Sequence, residues 1–283
     1  MENRSLTIKT MTPSELDIAV EWAACEGWNP GLSDAQCYYR ADPNGFLMGY
    51  LGDEPIASIS VVKYNDSFGF LGFYIVKPEY RGLGFGWQIW QAGLQYLNGC
   101  NIALDGVVAQ QDNYKKSGFK LAYRNIRFAG TGGGTEPLAS NIVSLSDLPI
   151  ATVLDYEQAF FPAKRESFLK CWVTQANSHA LAIMNEGKIA GYGVIRPCRQ
   201  GYKIGPLFAN SKAEAEQLFQ ALRAKISTTD TIYLDVPEVN DAAVALANDH
   251  GMAPDFETAR MYTGNTPKLS LERTYGVTSF EIG

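Results

Sequence analysis

The sequence predicts an α+β protein built from two similar halves, and three observations carry that reading. Short strand-like apolar runs alternate with amphipathic stretches along the whole chain. A glycine tract, "TGGGTEPLAS" at residues 131–140, divides the 283 residues near their middle. The halves also end alike. "ALDGVVAQQDNYKKSGFKLAYRNIRFAG" and "YLDVPEVNDAAVALANDHGMAPDFETARMYTG" each run strand, Leu-Asp pair, short helix, glycine and last strand. The expected division is 1–130, a Gly-rich linker 131–140, and 141–283.

In the first half "SLTIKT" reads as a strand. Thr12, Pro13 and Glu15 then open a helix that runs to about Cys25, with a capping box at its start. "EGWNPG" breaks the chain, and Ser33 is placed to cap a short helix, "DAQCYYRA". "GFLMGYL", "PIASISVVKY" and "FGFLGFYIV" read as three strands. "WQIWQAGLQYLNG" is helical and stops at Gly99; "NIALDGVV" is a strand, "QQDNYKKSGF" a short helix ending at Gly118, and "KLAYRNIRFAG" a last strand. In the second half "ALAIMNEGKIAGYGVIRP" reads as a hairpin and "GYKIGPLFA" as a strand. A helix "KAEAEQLFQALRAKI", a strand "TIYLDVPEVN", a helix "DAAVALANDHGM" and a strand "ETARMYTG" follow.

Composition narrows the function. Apolar content of 46% and charged content of 19% suit a globular chain, and no apolar run approaches the ~18 residues of a membrane helix. The first ten residues have no apolar signal core. Five scattered cysteines without a CxxC read as free thiols, so a cytoplasmic protein is expected, with no metal site. A net charge of −6 weighs against a nucleic-acid partner. His179 and His250, the only histidines, leave little material for a Ser-His-Asp scheme.

Chemistry concentrates in "VKPEYRGLGFG", residues 76–86. A strand ends near Val76, Pro78 breaks it, and a helix starts within the loop. Helix-start amides lack partners and sit at the positive end of the dipole, and glycines let that backbone approach an anion. The spacing is neither G-x-G-x-x-G nor a P-loop. A glycine turn of this kind also occurs for packing alone.

With its flanking residues the loop resembles the acyl-CoA motif of the GNAT N-acetyltransferase superfamily, Q/R-x-x-G-x-G/A, filled here by Arg81, Gly84 and Gly86. The element order resembles that superfamily over about 130 residues. The resemblance implies two tandem domains, each a mixed, mostly antiparallel sheet flanked by helices. It implies acetyl-CoA as co-substrate, with Arg81, Gly82, Leu83, Gly84, Phe85 and Gly86 around its pyrophosphate. It further implies that Tyr74, Ile75 and Val76 pair with the pantetheine amides. Tyr114, four residues before Gly118-Phe119, stands where such enzymes carry the acid that protonates the thiolate. Asp105 is the candidate base, or else a brace for the next helix. The family's pantetheine-binding Asn is missing after this strand, and Asn113 is the nearest substitute.

Glu26, Trp28 and Asn29 fall where the superfamily builds its acceptor pocket, which implies a small-molecule or amino-acid-like amine. The second half keeps Asn240 but has Ala247 in place of the tyrosine and lacks the glycine motif, so it reads as a degenerate copy. Two other functions fit the outline: a non-catalytic acyl-CoA sensor, and an aminoacyl-transferring tandem enzyme. Oligomeric state is left open.

Overall fold

The computed structural model describes residues 6–135, 137 and 141–283. The first half comprises β1 (Thr7–Thr10), α1 (Pro13–Cys25), α2 (Asp34–Ala41), β2 (Phe46–Leu51), β3 (Glu54–Lys63), β4 (Phe68–Val76), α3 (Phe85–Tyr96), β5 (Asn101–Val107), α4 (Gln111–Lys116) and β6 (Lys120–Thr131). Local chemistry explains the boundaries. Glu15 N donates to the Thr12 hydroxyl while Thr12 N donates to the Glu15 carboxylate at 2.6 Å, which is the expected capping box. Ser33, by contrast, makes no cap bond. The Asp34 carboxylate next to it accepts from Gly31 N at 3.0 Å and from the Arg196 guanidinium at 2.8 and 3.2 Å.

The second half comprises β7 (Ile142–Ser144), α5 (Ile150–Glu157), α6 (Glu166–Trp172), β8 (His179–Asn185), β9 (Lys188–Pro197), β10 (Tyr202–Ala209), α7 (Lys212–Arg223), β11 (Thr231–Pro237), α8 (Asp241–Asp249), β12 (Ala253–Tyr262) and β13 (Thr274–Gly276). Before β13 this is the order of the first half again. The linker stretch begins inside β6. Gly132 N and Gly133 N then donate to Asp230 O and Arg223 O at 2.8 and 3.0 Å. Residues 136 and 138–140 lie outside the described residues.

All strands join one sheet, ordered β1-β2-β3-β4-β5-β12-β6-β11-β10-β9-β8-β7, with β13 set against β10. Among the described residues only β4–β5 and β10–β11 pair in parallel. The halves trade their last strands. β12 sits beside β5, β6 sits beside β11, and β6 and β12 pair with each other at the centre. The order reads the same from both ends, as a duplicated unit related by a pseudo-twofold axis would.

Two buried ion pairs fasten this exchange. Asp105 of β5 faces Arg260 of β12, with oxygens accepting from Nε at 2.7 Å and Nη2 at 2.6 Å. Its counterpart joins Asp235 of β11 to Arg127 of β6 at 2.7 and 2.8 Å. Both pairs are bidentate, and all four side chains are at most 8% exposed. Each aspartate therefore lies on one half and its arginine on a strand from the other.

Helices α2 and α6 pack on each other where the halves meet. There Cys37 and Cys171 form a disulfide, with Cα atoms 5.2 Å apart. The expectation of five free thiols does not hold. The partners are 134 residues apart in sequence, and only the pseudo-symmetric packing of equivalent helices brings them together. Cys25, Cys100 and Cys198 are free.

A buried carboxylate stripped of its partner is costly. Arg260→Met should destabilise the protein by about 3–5 kcal/mol in urea unfolding. Combining it with Asp105→Leu should recover most of that loss. A double variant as unstable as the single one would show that the pair does not fasten the strands.

Candidate active site

β4 and β5 stay paired only through residues 68–71 and 101–104. Beyond them the strands part. β4 bends where Phe73 takes φ 44°, with its register against β3 shifted, and Ser58 Oγ holds the Phe73 carbonyl at 2.8 Å. The gap leaves the β4 edge from Gly72 to Val76 unpaired on the β5 side. A cleft of about 700 Å³ opens there.

The glycine loop forms one wall. Gly82 and Gly84 have φ of 75° and 86°, backbone that side chains disfavour, and Gly84 is the N-cap of α3 with no side-chain cap. The first amides of α3 are thus left for a ligand. Gly86 is required for another reason: a Cβ there would lie 2.6 Å from the Tyr74 hydroxyl. Arg81 works from behind, donating from Nε to Val76 O at 2.8 Å and pairing with Glu26. Phe85 is buried under the loop, whereas Leu83 is exposed. Trp87, 60% exposed, lines the cleft mouth.

Tyr114 stands opposite. Its ring lies on Gly106 and stacks on Trp90 at 5.7 Å between centroids. Among the described residues nothing hydrogen-bonds its hydroxyl, and it lines the cleft. Burial, with the nearby Tyr74 phenol adding to it, pushes its pKa up to about 12. The phenol therefore stays protonated at neutral pH. Asn113 also lines the cleft, its amide donating to Gln110 Oε1 at 2.7 Å.

Inward, the cleft reaches a chamber of about 40 Å³, which shares Trp28, Tyr74, Val107, Tyr114 and Phe256 with it. Much of its wall comes from the second half: Phe256 and Thr258 on β12, and Phe280 and Glu281 in the terminal segment. Sequence reading placed the acceptor pocket at residues 26–29 and passed over all four. Trp28 does line the chamber, and Glu26 lines the outer cleft. Asn29 lines neither. Its amide instead ties the halves together, donating to Gln200 O at 3.0 Å and accepting from Gln200 N at 2.9 Å.

Asp105 lines the chamber, but both its oxygens are engaged: Oδ1 by Arg260 and by Asn125 (2.8 Å), Oδ2 by Arg260. Burial raises its pKa against the pull of the Arg260 charge. Its partner was legible in principle. Each half carries both the Leu-Asp pair and an arginine near the end of its last strand.

In the second half the corresponding gap is filled. β10 and β11 pair through residues 202–204 and 232–234 and then part. β13 enters the space, pairing with β10 at Leu207 and Phe208, and Val277 N donates to Asp235 O at 2.9 Å. Asn240 holds the insert. Its amide donates to Leu271 O and Thr274 O at 3.0 and 2.9 Å, while its oxygen caps α8. No helix of the described residues is long and apolar enough to span a membrane, and no cluster among them has the makings of a metal site.

Comparison with known proteins agrees with this geometry. The model of the acetyltransferase (GNAT) family matches residues 14–119, and that of an acetyltransferase (GNAT) domain matches residues 153–276. The holothin acyltransferase of Pseudoalteromonas sp. (strain SANK 73390) is 29% identical over 282 residues, covering 100% of this chain and 96% of that protein. A putative acetyltransferase from Pyrococcus horikoshii superposes with a TM-score of 0.83 at 22% identity, covering 100% of this chain and 98% of its own. A tandem GNAT protein from the clavulanic acid biosynthesis pathway gives 0.64 at 11% identity, covering 93% and 100%. With a GNAT match on each side of its pseudo-twofold axis, this chain belongs to the GNAT superfamily as a tandem-domain acyltransferase.

Proposed function

We propose that the chain transfers an acetyl group from acetyl-CoA directly to the amine of a small molecule, using the first half's site alone. One observation carries the reading: the same strand gap occurs twice, open beside Tyr114 in the first half and filled by β13 in the second. The cleft suits the donor. The free amides at the start of α3 match a diphosphate, and the β4 edge offers main-chain partners to pantetheine amides. Trp87 and Leu83 offer apolar surface at the rim. Acetyl-CoA supplies an activated thioester. Tyr114 holds a proton where a thiolate leaves, and Gly106 and Trp90 fix its ring. No cysteine or serine of the cleft has a base beside it, so direct transfer is favoured over an acyl-enzyme. The holothin acyltransferase, matched over nearly its full length, supports acyl transfer.

The catalytic unit is then residues 1–130 completed by β12 and the terminal segment, and 141–283 is a copy that has lost its donor site. We assign Asp105 to holding β12 in place.

Calorimetry should find one acetyl-CoA site per chain, abolished by Gly86→Val, whose branched side chain would overlap Tyr74. Two sites would refute a filled second cleft.

Tyr114→Phe keeps the ring and removes the proton. Its kcat should fall by about 10²–10⁴-fold with donor affinity unchanged. Unchanged turnover would remove Tyr114 from the chemistry.

A further inference from the structure

Transfer to an amine requires something to take the amine's proton, and the occupied oxygens of Asp105 make it poorly suited. The chamber holds another carboxylate. Glu281 is 4% exposed and lines the chamber. Its Oε2 lies 3.0 Å from the Tyr38 hydroxyl, which it shares with Asp34 Oδ2 at 3.2 Å, while Oε1 has no hydrogen-bond partner among the described residues.

The backbone around Glu281 is firmly held. Ser60 Oγ donates to Glu281 O at 3.3 Å, Tyr64 donates to Ile282 O at 2.8 Å, and Arg165 donates to Gly283 O at 2.5 Å. Gly72 of β4 leaves room for this passage, since a Cβ there would collide with Glu281 O. The groups facing Glu281 are Tyr38 of α2, Arg127 of β6, Arg196 of β9 and Lys203 of β10. Arg127 is neutralised by Asp235 and Arg196 by Asp34. Lys203 is buried and makes no ion pair among the described residues. Glu281 is thus the one carboxylate of the chamber without its own arginine.

A second group in the chamber also lacks a partner. Thr258 Oγ1 is buried and unbonded among the described residues. The rest of the lining mixes the aromatic Trp28, Phe73, Phe256 and Phe280 with Leu71, Leu104 and Val107. A buried polar group gains most from a ligand that satisfies it, and at about 40 Å³ the chamber has room for an amino group rather than a ring.

We propose that Glu281, carried by the second half's terminal segment, is the general base of the first half's reaction, and that the chamber takes the amino end of the acceptor. This rests on the acetyl-transfer reading above. Glu281 takes a proton from the bound ammonium, and the neutral nitrogen then attacks the thioester carbonyl carbon; a C–N bond forms and the C–S bond breaks. The nitrogen sheds its second proton to solvent, and Tyr114 gives one to the departing thiolate. The Tyr114 phenolate regains a proton from solvent, and Glu281 releases its own.

The test follows thiol release from acetyl-CoA with benzylamine, phenethylamine and tryptamine, for wild type and Glu281→Gln, from about pH 6 to about pH 9.5. Acetyl-CoA affinity is measured in parallel. A Gln oxygen can still accept from Tyr38, so the fold should stand. We expect kcat/KM to fall at least about 100-fold near neutral pH. The deficit should shrink as the pH nears the amine's own pKa, where free amine needs no base. Donor affinity should not change. Equal activity of the two proteins, or a deficit constant across pH, overturns the role of Glu281. Donor binding without transfer to any of these amines overturns the placement of the acceptor's amino end in the chamber. A wild type that fails to bind acetyl-CoA overturns the functional reading beneath both. Should Glu281→Gln fail to fold, Glu281→Asp carries the test. It keeps the charge but shortens the reach, so its rate should fall near neutral pH and recover towards the amine's own pKa. A wild-type rate there would overturn the role.

Discussion

The two crossed aspartate–arginine pairs at the centre of the sheet are what the rest of the molecule depends on. A last strand left on its own half would give two sheets with separate edges. Exchange makes one sheet, and it places β12, built by the second half, as a wall of the first half's site. Burying such a pair is not stabilising in itself, because desolvation offsets the attraction. Its value lies in specificity. Asp105 and Asp235 are each satisfied only when the strand beside them brings an arginine to that register. A slip by one residue would turn that arginine to the opposite face and leave a buried charge unpaired.

The pseudo-symmetry also isolates how the two halves differ. Both halves have a parallel strand pair that parts, a helix that starts beside the gap, and a short helix after the Leu-Asp strand. The first half then leaves its gap open, with left-handed glycines at the helix start and an unbonded phenol opposite. The second half fills its gap with β13, and Asn240 grips the insert by its carbonyls. A main-chain edge can be satisfied by a ligand's amides or by the protein's own strand. Here the same physical requirement is met in both ways within one chain.

Much of this was legible in the sequence wherever the cause is local. The capping box at Thr12, the strand runs, the glycine spacing of residues 81–86 and the position of Tyr114 all depend on neighbours a few residues away. Non-local features were not legible. Asp105 looks like a base in the strand "IALDGVV" because its partner lies 155 residues on. Cys37 looks like a free thiol because Cys171 lies 134 residues on. The terminal segment has neither helical nor strand periodicity, so Phe280 and Glu281 carried no signal. The one distant clue was the duplication. An aspartate and an arginine recur at matching places in both halves, and a repeated pair of opposite charges is a candidate contact.

The two most asymmetric features of the chain prove to be continuous. β13, which closes the second half's gap, leads through Val277 into the segment that carries Phe280 and Glu281 into the first half's chamber. Filling one site and furnishing the other are therefore the work of a single stretch of backbone. A ligand in the second gap would displace β13 and with it the anchor of that stretch. A chamber walled this way needs the second gap to stay closed, because the β13 that fills it anchors the segment that forms the wall.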